Sequence, residues 1–215
     1  MMRFTQGLVV MGLSVALVGC SSDEPGAATP DAGGPGTPDA GPQQRTYPQG
    51  PYGLNMGDVM QDRKWMGYAD TAADTDIDPF NEPPHEISLA DYYTPNNPKS
   101  RVVVLIQSAG WCGPCQEEAA QLPGVSATWQ PKGVTFITLM WQNPDQTPGT
   151  TDYSKEWGTM FHQDTPVVAD PNDFAGVPFG NQGIPFLVMI DAKTMKIISF
   201  PDGPDNADVY QQYTH

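Results

Sequence analysis

Arg101-Val102-Val103-Val104-Leu105-Ile106-Gln107-Ser108-Ala109-Gly110-Trp111-Cys112-Gly113-Pro114-Cys115 carries an apolar run directly into two cysteines with two residues between them. Val102 to Ile106 is rich in β-branched residues and unbroken by polar ones, the pattern of a strand buried on both faces. Gly113 to about Trp129 reads as a helix with Ala119, Ala120 and Leu122 on one side. Cys112 therefore stands at a helix N-terminus, where free N–H groups and the macrodipole favour a thiolate. A thiolate so placed has a lowered pKa and is the attacking nucleophile of the pair. Cys115, in the first turn, is shielded and resolves the mixed disulfide. The spacing lets the two close a disulfide without unfolding the backbone. Pro114 adds rigidity at a position whose N–H the helix start does not use.

The rest of the folded part alternates in the same way. Gly133 to Met140 is a second strong strand, and Phe186 to Ile190, opened by Pro185, is a third. Thr151 or Asp152 can cap a helix running to about His162. Thr165 to Ala169 is a brief strand-like piece. Asp191 to Thr194 makes a turn, and Met195 to Phe200 returns as a hairpin partner. A short helix near Asp205–Tyr213 closes the chain. Before the cysteine motif, Tyr52 to Ala69 predicts an irregular entry with one strand, and Glu86 to Tyr92 a short strand that turns. The fold class is α/β: a central mixed sheet of about five strands flanked by helices on both faces, with an N-terminal extension.

Composition bounds the function. The chain has 215 residues, 25 acidic against 10 basic, for a net charge of −15. Such an acidic chain lacks the electrostatic footprint for nucleic acid or for anionic lipid headgroups. With 39% apolar residues it can build one ordinary core, while 22 Gly and 23 Pro indicate a part that does not pack. That part is at the N-terminus. Met1-Met2-Arg3 is a basic start, and Leu8 to Gly19 is almost wholly apolar but shorter than the ~20 residues a membrane span needs. It fits the h-region of a secretory signal. Leu17-Val18-Gly19-Cys20 resembles the lipobox of bacterial lipoproteins, which implies cleavage before Cys20 and lipidation of that cysteine. Residues 21–50 hold six Pro and six Gly, and Thr-Pro-Asp-Ala-Gly occurs at both 29–33 and 37–41. They read as a disordered tether. The expected organisation is a signal peptide over 1–19, a lipidated Cys20 with linker over 20–50, and one domain over 51–215.

The strand–Trp111-Cys112-Gly113-Pro114-Cys115–helix unit, with Gly183-Ile184-Pro185 before the third strand, resembles thioredoxin. The N-terminal signal and Cys-Gly-Pro-Cys-x-x-Glu resemble more narrowly the TlpA/ResA-like branch, membrane-tethered thiol–disulfide oxidoreductases outside the cytoplasm. The likeness spans roughly residues 52–212. It implies a cis Pro185 facing the disulfide, with Ile184 offering backbone hydrogen bonds to the substrate chain. Trp111, Gly113 and Pro114 join them as the docking surface. Two positions depart from the pattern. Thioredoxin carries a buried acid six residues before the first cysteine, where this chain has Ile106. It also has a helix-kinking proline where this chain has Ala120, with Pro123 coming later. Glu118, three residues after Cys115, is the expected substitute acid, and a carboxylate there would raise both thiol pKa values and accept a proton. The other reading of Glu118 is an exposed acid in an early helical turn, which is also the reading of Glu117.

The resemblance implies a protein-disulfide reductase using no cofactor beyond its cysteine pair. Its partners would be protein disulfides, such as an apocytochrome c awaiting haem, and a membrane electron donor. It would act as a monomer anchored through the N-terminal lipid, facing the periplasm. Ser21 after Cys20 leans towards the outer membrane over the inner. A disulfide-inserting oxidant and a redox-inactive binding or adaptor module remain as alternatives. No metal is expected. A zinc site would need a second ligand pair, and Cys20 and the scattered His85, His162 and His215 do not form one. Asp74, Asp76 and Asp78 alternate as calcium-loop acids do, but Pro79 and His85 break that loop's pattern. Ala109 stands where a peroxidase needs Thr or Ser.

Overall fold

The computed structural model describes residues 46–70, 78–97, 99–173 and 183–214. The expected signal peptide, Cys20 and the linker as far as residue 45 lie outside the described residues, as do Asp74 and Asp76 of the calcium reading. In chain order the elements are β1 (Lys64–Tyr68), β2 (His85–Ser88), β3 (Val102–Ala109), α1 (Gly113–Trp129), β4 (Val134–Gln142), α2 (Thr151–Met160), β5 (Val167–Ala169), β6 (Phe186–Asp191), β7 (Ile197–Ser199) and α3 (Ala207–Tyr213). Three 3-10 turns join them, at Pro79–Asn81, Leu89–Tyr92 and Gln130–Lys132.

Among the described residues the seven strands form one mixed sheet, in the order β2-β1-β5-β4-β3-β6-β7. The expectation of about five strands is corrected to seven. β1 and β2 come from the entry segment, and β1 adds antiparallel to β5, which itself runs parallel to β4. β3 pairs parallel with β4 and antiparallel with β6. It is buried at all eight residues, as its unbroken apolar run requires of a central strand.

Register places one row of side chains across five strands. Tyr68 lies beside Val167, Val167 beside Thr138, Thr138 beside Ile106, and Ile106 beside Leu187. Because strand side chains alternate between faces, these five share one face. The three α-helices cover it. Leu122 and Trp129 of α1 and Tyr210 of α3 pack with Val104, Ile106, Phe136 and Leu187. Tyr153 and Trp157 of α2 pack with Tyr68 and Val167. The other face (Val103, Leu105, Ile137, Leu139, Val188) is covered by Met60, Leu89 and Met195. The expected second helical layer is represented there, among the described residues, by the 3-10 turn that Leu89 opens.

Helix ends follow local chemistry. Thr150, not Thr151 or Asp152, caps α2, its Oγ1 accepting from the Tyr153 N–H at 3.2 Å. α2 stops at Met160 rather than His162, which takes a left-handed φ of 53° beyond the helix. α1 runs through Pro123. Near it, Ser126 donates to Asp164 Oδ1 at 2.7 Å, tying α1 to the segment that follows α2. Among the described residues no helix is long and apolar enough to cross a membrane.

Candidate active site

The cysteine pair sits where β3 ends and α1 begins. The connecting turn closes on itself, with the Cys112 N–H donating to the Ala109 carbonyl at 3.1 Å. Gly110 donates to the Gln142 carbonyl at 2.9 Å and accepts from Gln116 Nε2 at 2.8 Å. No side chain fits at Gly110, since a Cβ there would stand 2.6 Å from Tyr153 Oη and 2.7 Å from the Pro144 backbone nitrogen. The end of β4 and the start of α2 thus fix the turn that presents the cysteines.

Cys112 is the N-cap of α1, in an extended conformation, and its Sγ accepts from the Cys115 N–H at 3.2 Å. That is the contact that stabilises a thiolate at a helix start. Cys112 and Cys115 are joined in a disulfide with a Cα–Cα distance of 5.2 Å. Both are buried, Cys112 at 4% exposure and Cys115 at 0%, so what little sulfur-bearing surface the pair shows belongs to Cys112.

The other sequence-predicted residues fall into two groups. Around the disulfide mouth, Trp111, Gly113 and Pro114 are exposed, and Ile184 and Pro185 are half-buried. The Ile184–Pro185 bond is cis, and the Ile184 carbonyl oxygen lies 3.7 Å from Cys112 Sγ. That carbonyl sits beside the sulfur a substrate chain would approach. Trp111, 43% exposed, donates from its indole Nε1 to Gln142 Oε1 at 2.8 Å and meets Trp141 edge-on, with centroids 6.3 Å apart. Three residues after Cys115 on α1 comes Glu118, only 8% exposed, while Glu117 is exposed. Burial pushes the Glu118 carboxyl up to about 7, and its Oε2 has no hydrogen-bond partner. The reading of Glu118 as an exposed acid is therefore corrected. Glu118 lines a narrow cleft with Ile106, Ser108, Ala119, Leu122, Thr138 and Gln163, too tight for a water molecule.

Asp78, the described acid of the calcium reading, caps a 3-10 turn by accepting from the Phe80 N–H at 3.0 Å. Among the described residues no group of three or more His, Cys, Asp or Glu side chains is placed to hold a metal ion. Sequence reading missed Trp141, Gln142 and Gln163. Trp141 and Gln142 meet Trp111 across about thirty residues of chain, Gln163 shares a cleft with Glu118, and no local pattern announces them.

A family model described as Redoxin matches residues 74–211. No curated protein sequence matches the chain. Among solved structures, it is similar to a Chlorobium tepidum protein described as a thiol:disulfide interchange protein DsbE, at 21% identity and a TM-score of 0.52, covering 74% of this chain and 94% of that one. It is also similar to the thioredoxin domain of a thiol-disulfide oxidoreductase from Bacteroides vulgatus, at 17% identity and 0.50, covering 74% and 95%. A thiol:disulfide interchange protein from a Bacteroides species gives 17% and 0.50, covering 75% and 91%. These are likenesses of fold, and the fold is thioredoxin-like.

Proposed function

The chain belongs to the Redoxin family, and on that premise we propose that it is an extracytoplasmic thiol–disulfide oxidoreductase that reduces protein disulfides. The observation that carries this reading is the asymmetry of the Cys112–Cys115 pair. One sulfur is at a helix N-cap, receiving a backbone N–H beside the Ile184 carbonyl, and the other is fully buried behind it.

In the reduced protein the Cys112 thiolate attacks one sulfur of the partner's disulfide. The partner's S–S bond breaks, a mixed disulfide forms, and the departing partner thiolate takes up a proton. Glu118 accepts the Cys115 proton as the Cys115 sulfur attacks Cys112 Sγ. The second partner thiolate leaves and is protonated. Two electrons have moved from the cysteine pair to the partner, and the Cys112–Cys115 disulfide is closed. Trp111, Gly113, Pro114, Ile184 and Pro185 form the surface on which the partner's chain rests. The pair is the only redox group required, so the protein works without a metal or organic cofactor. Another turnover needs two electrons from a donor at the membrane.

The chain acts as a monomer, residues 51–215 forming the working domain, with 20–50 as tether and Cys20 as the lipidated anchor after removal of 1–19. It faces the periplasm of a bacterial envelope, on the outer membrane in preference to the inner. Its substrates are envelope proteins with disulfides to be opened, an apocytochrome c before haem attachment among them.

The test is the reduction potential of the Cys112/Cys115 pair in the full chain, read as free thiol in defined thiol–disulfide buffers. A value near or below about −270 mV supports the reductase. A value near about −120 mV makes the protein a disulfide donor instead. Absence of exchange at every poise leaves a binding module.

A further inference from the structure

Two buried polar atoms of opposite hydrogen-bonding character line the cleft between α1 and the sheet, and neither has a partner. One is Glu118 Oε2 on α1. The other is Gln163 Nε2, three residues beyond the end of α2. Gln163 is 4% exposed and Glu118 8%. The Gln163 amide is already held at its oxygen, which accepts from Thr138 Oγ1 at 3.3 Å, so its N–H2 end is the one left over. A buried donor without an acceptor destabilises the fold, and so does a buried acceptor without a donor. The cleft admits no water to satisfy either atom.

We propose that Gln163 is the positioning residue of Glu118, its side-chain amide donating to the Glu118 carboxylate across the cleft whenever that carboxylate carries its charge. This rests on the reading of Glu118 as the proton acceptor for Cys115. As acceptor, Glu118 must be able to exist both ionised and protonated inside a dry cleft. Burial alone accounts for the upward shift of its carboxyl, with no cation offsetting it among the described residues. The groups that face it are acids or neutral. Tyr210 of α3 has its phenol pushed up by burial and then by the charges of Glu118 and Asp205, and donates to the Pro204 carbonyl at 2.8 Å. Asp164, next to Gln163, is bonded to Ser126, and Cys112 and Cys115 are closed on one another. Within the cleft Ser108 and Thr138 carry hydroxyls, and the Thr138 hydroxyl is committed to Gln163. The amide N–H2 is a buried donor of this cleft without a partner, and so is available to the carboxylate. Gln163 transfers no proton and touches no reacting sulfur.

The test uses the oxidised full chain, in which the two cysteines do not titrate. The Glu118 carboxyl carbon and the Gln163 side-chain amide resonances are followed by NMR from pH 4 to 9. The proposal expects both to move with one midpoint, below the value of about 7 that burial alone gives Glu118, because the amide stabilises the charged form. A Gln163 amide that stays still while Glu118 titrates overturns it, in the unaltered protein and without any question of misfolding. A variant gives the second arm. Gln163→Met keeps the bulk and removes the donor, and it should raise the Glu118 midpoint by about one pH unit. An unchanged midpoint in a folded variant overturns the proposal. Activity separates the two readings. If the resonances move together but Glu118→Gln leaves disulfide exchange unchanged at every pH, the pairing stands and the acceptor role of Glu118 falls. If Glu118→Gln slows exchange and the amide does not follow, the acceptor role stands and the pairing falls.

Discussion

Ile106 and Glu118 line the same cleft, one from β3 and the other from α1. Ile106 stands where the resemblance to thioredoxin implies a buried acid, and the buried carboxyl bordering this cleft is on the helix. Burial has a consequence for stability. The Glu118 carboxyl is raised from 4.5 to about 7, so the folded state disfavours its charged form. The folded protein therefore holds a proton there that the unfolded chain has already lost between those values. Stability falls as pH rises through that window, and the loss is complete above it. Glu118→Gln has no such loss. Urea unfolding should find the variant gaining on the parent by about 3 kcal/mol between pH 4 and pH 8.5. An equal difference at the two pH values would show that Glu118 is not held protonated by the fold.

The difference in access between the two cysteines predicts a trapped intermediate. Cys115→Ser leaves Cys112 at the N-cap but removes the buried resolving thiol. Mixed with a disulfide-bonded peptide, this variant should accumulate a covalent adduct at Cys112, visible as added mass that a reductant removes. Cys112→Ser should form about a hundredfold less, because its remaining thiol is fully buried. Equal adducts from both would contradict the assignment of attacking and resolving roles.

What the sequence discloses here depends on how local the cause is. β3, β4 and β6 are legible because each is a run of apolar residues bounded by turn residues, and α1 begins and ends where its pattern predicts. β1 is obscure for a physical reason. Lys64–Tyr68 carries Gly67, pressed onto Val167 and Val168 of β5, so its pairing is set by a strand a hundred residues away. The cysteines and the cis proline announce themselves through their motifs. The burial of Glu118 does not, because an acid in the second turn of a helix reads as exposed. Its cover comes from distant parts of the chain: α3 and the segment before it put Tyr210 and Gly203 near its carboxylate, and β3, β4 and Gln163 line the cleft beside it.

Trp111 separates docking from stability. Its indole is 43% exposed, held by one hydrogen bond to Gln142 and an edge contact with Trp141. Trp111→Ala should cost less than about 1 kcal/mol of stability, since little buried area is lost. Removed from the disulfide mouth, the ring no longer offers its face to the partner's chain. KM for a protein disulfide should rise about fivefold, with kcat nearly unchanged. A matching fall in kcat would instead place Trp111 in the chemistry of the disulfide.

Two glycines three residues apart carry opposite predictions. At Gly110 a Cβ would meet Tyr153 Oη at 2.6 Å and the Pro144 backbone nitrogen at 2.7 Å. The tyrosine can move, but the Pro144 nitrogen belongs to the chain leaving β4, so the turn itself must shift. At Gly113 a Cβ would have nothing within 4 Å. Gly110→Ala should therefore cost about 1–3 kcal/mol in urea unfolding. Gly113→Ala, in the first turn of α1, should be neutral or stabilising by about 0.5 kcal/mol through helix propensity. The shift at Gly110 also moves the residues that hold Trp111 and Cys112, because the Gly110 N–H bonds to the Gln142 carbonyl and Trp111 bonds to the Gln142 side chain. Alkylation of reduced Cys112 should accordingly change in rate in Gly110→Ala and stay near that of the parent in Gly113→Ala. Similar stabilities for the two variants would mean that the turn is free to move, and that the approach of β4 and α2 does not set the position of the cysteines.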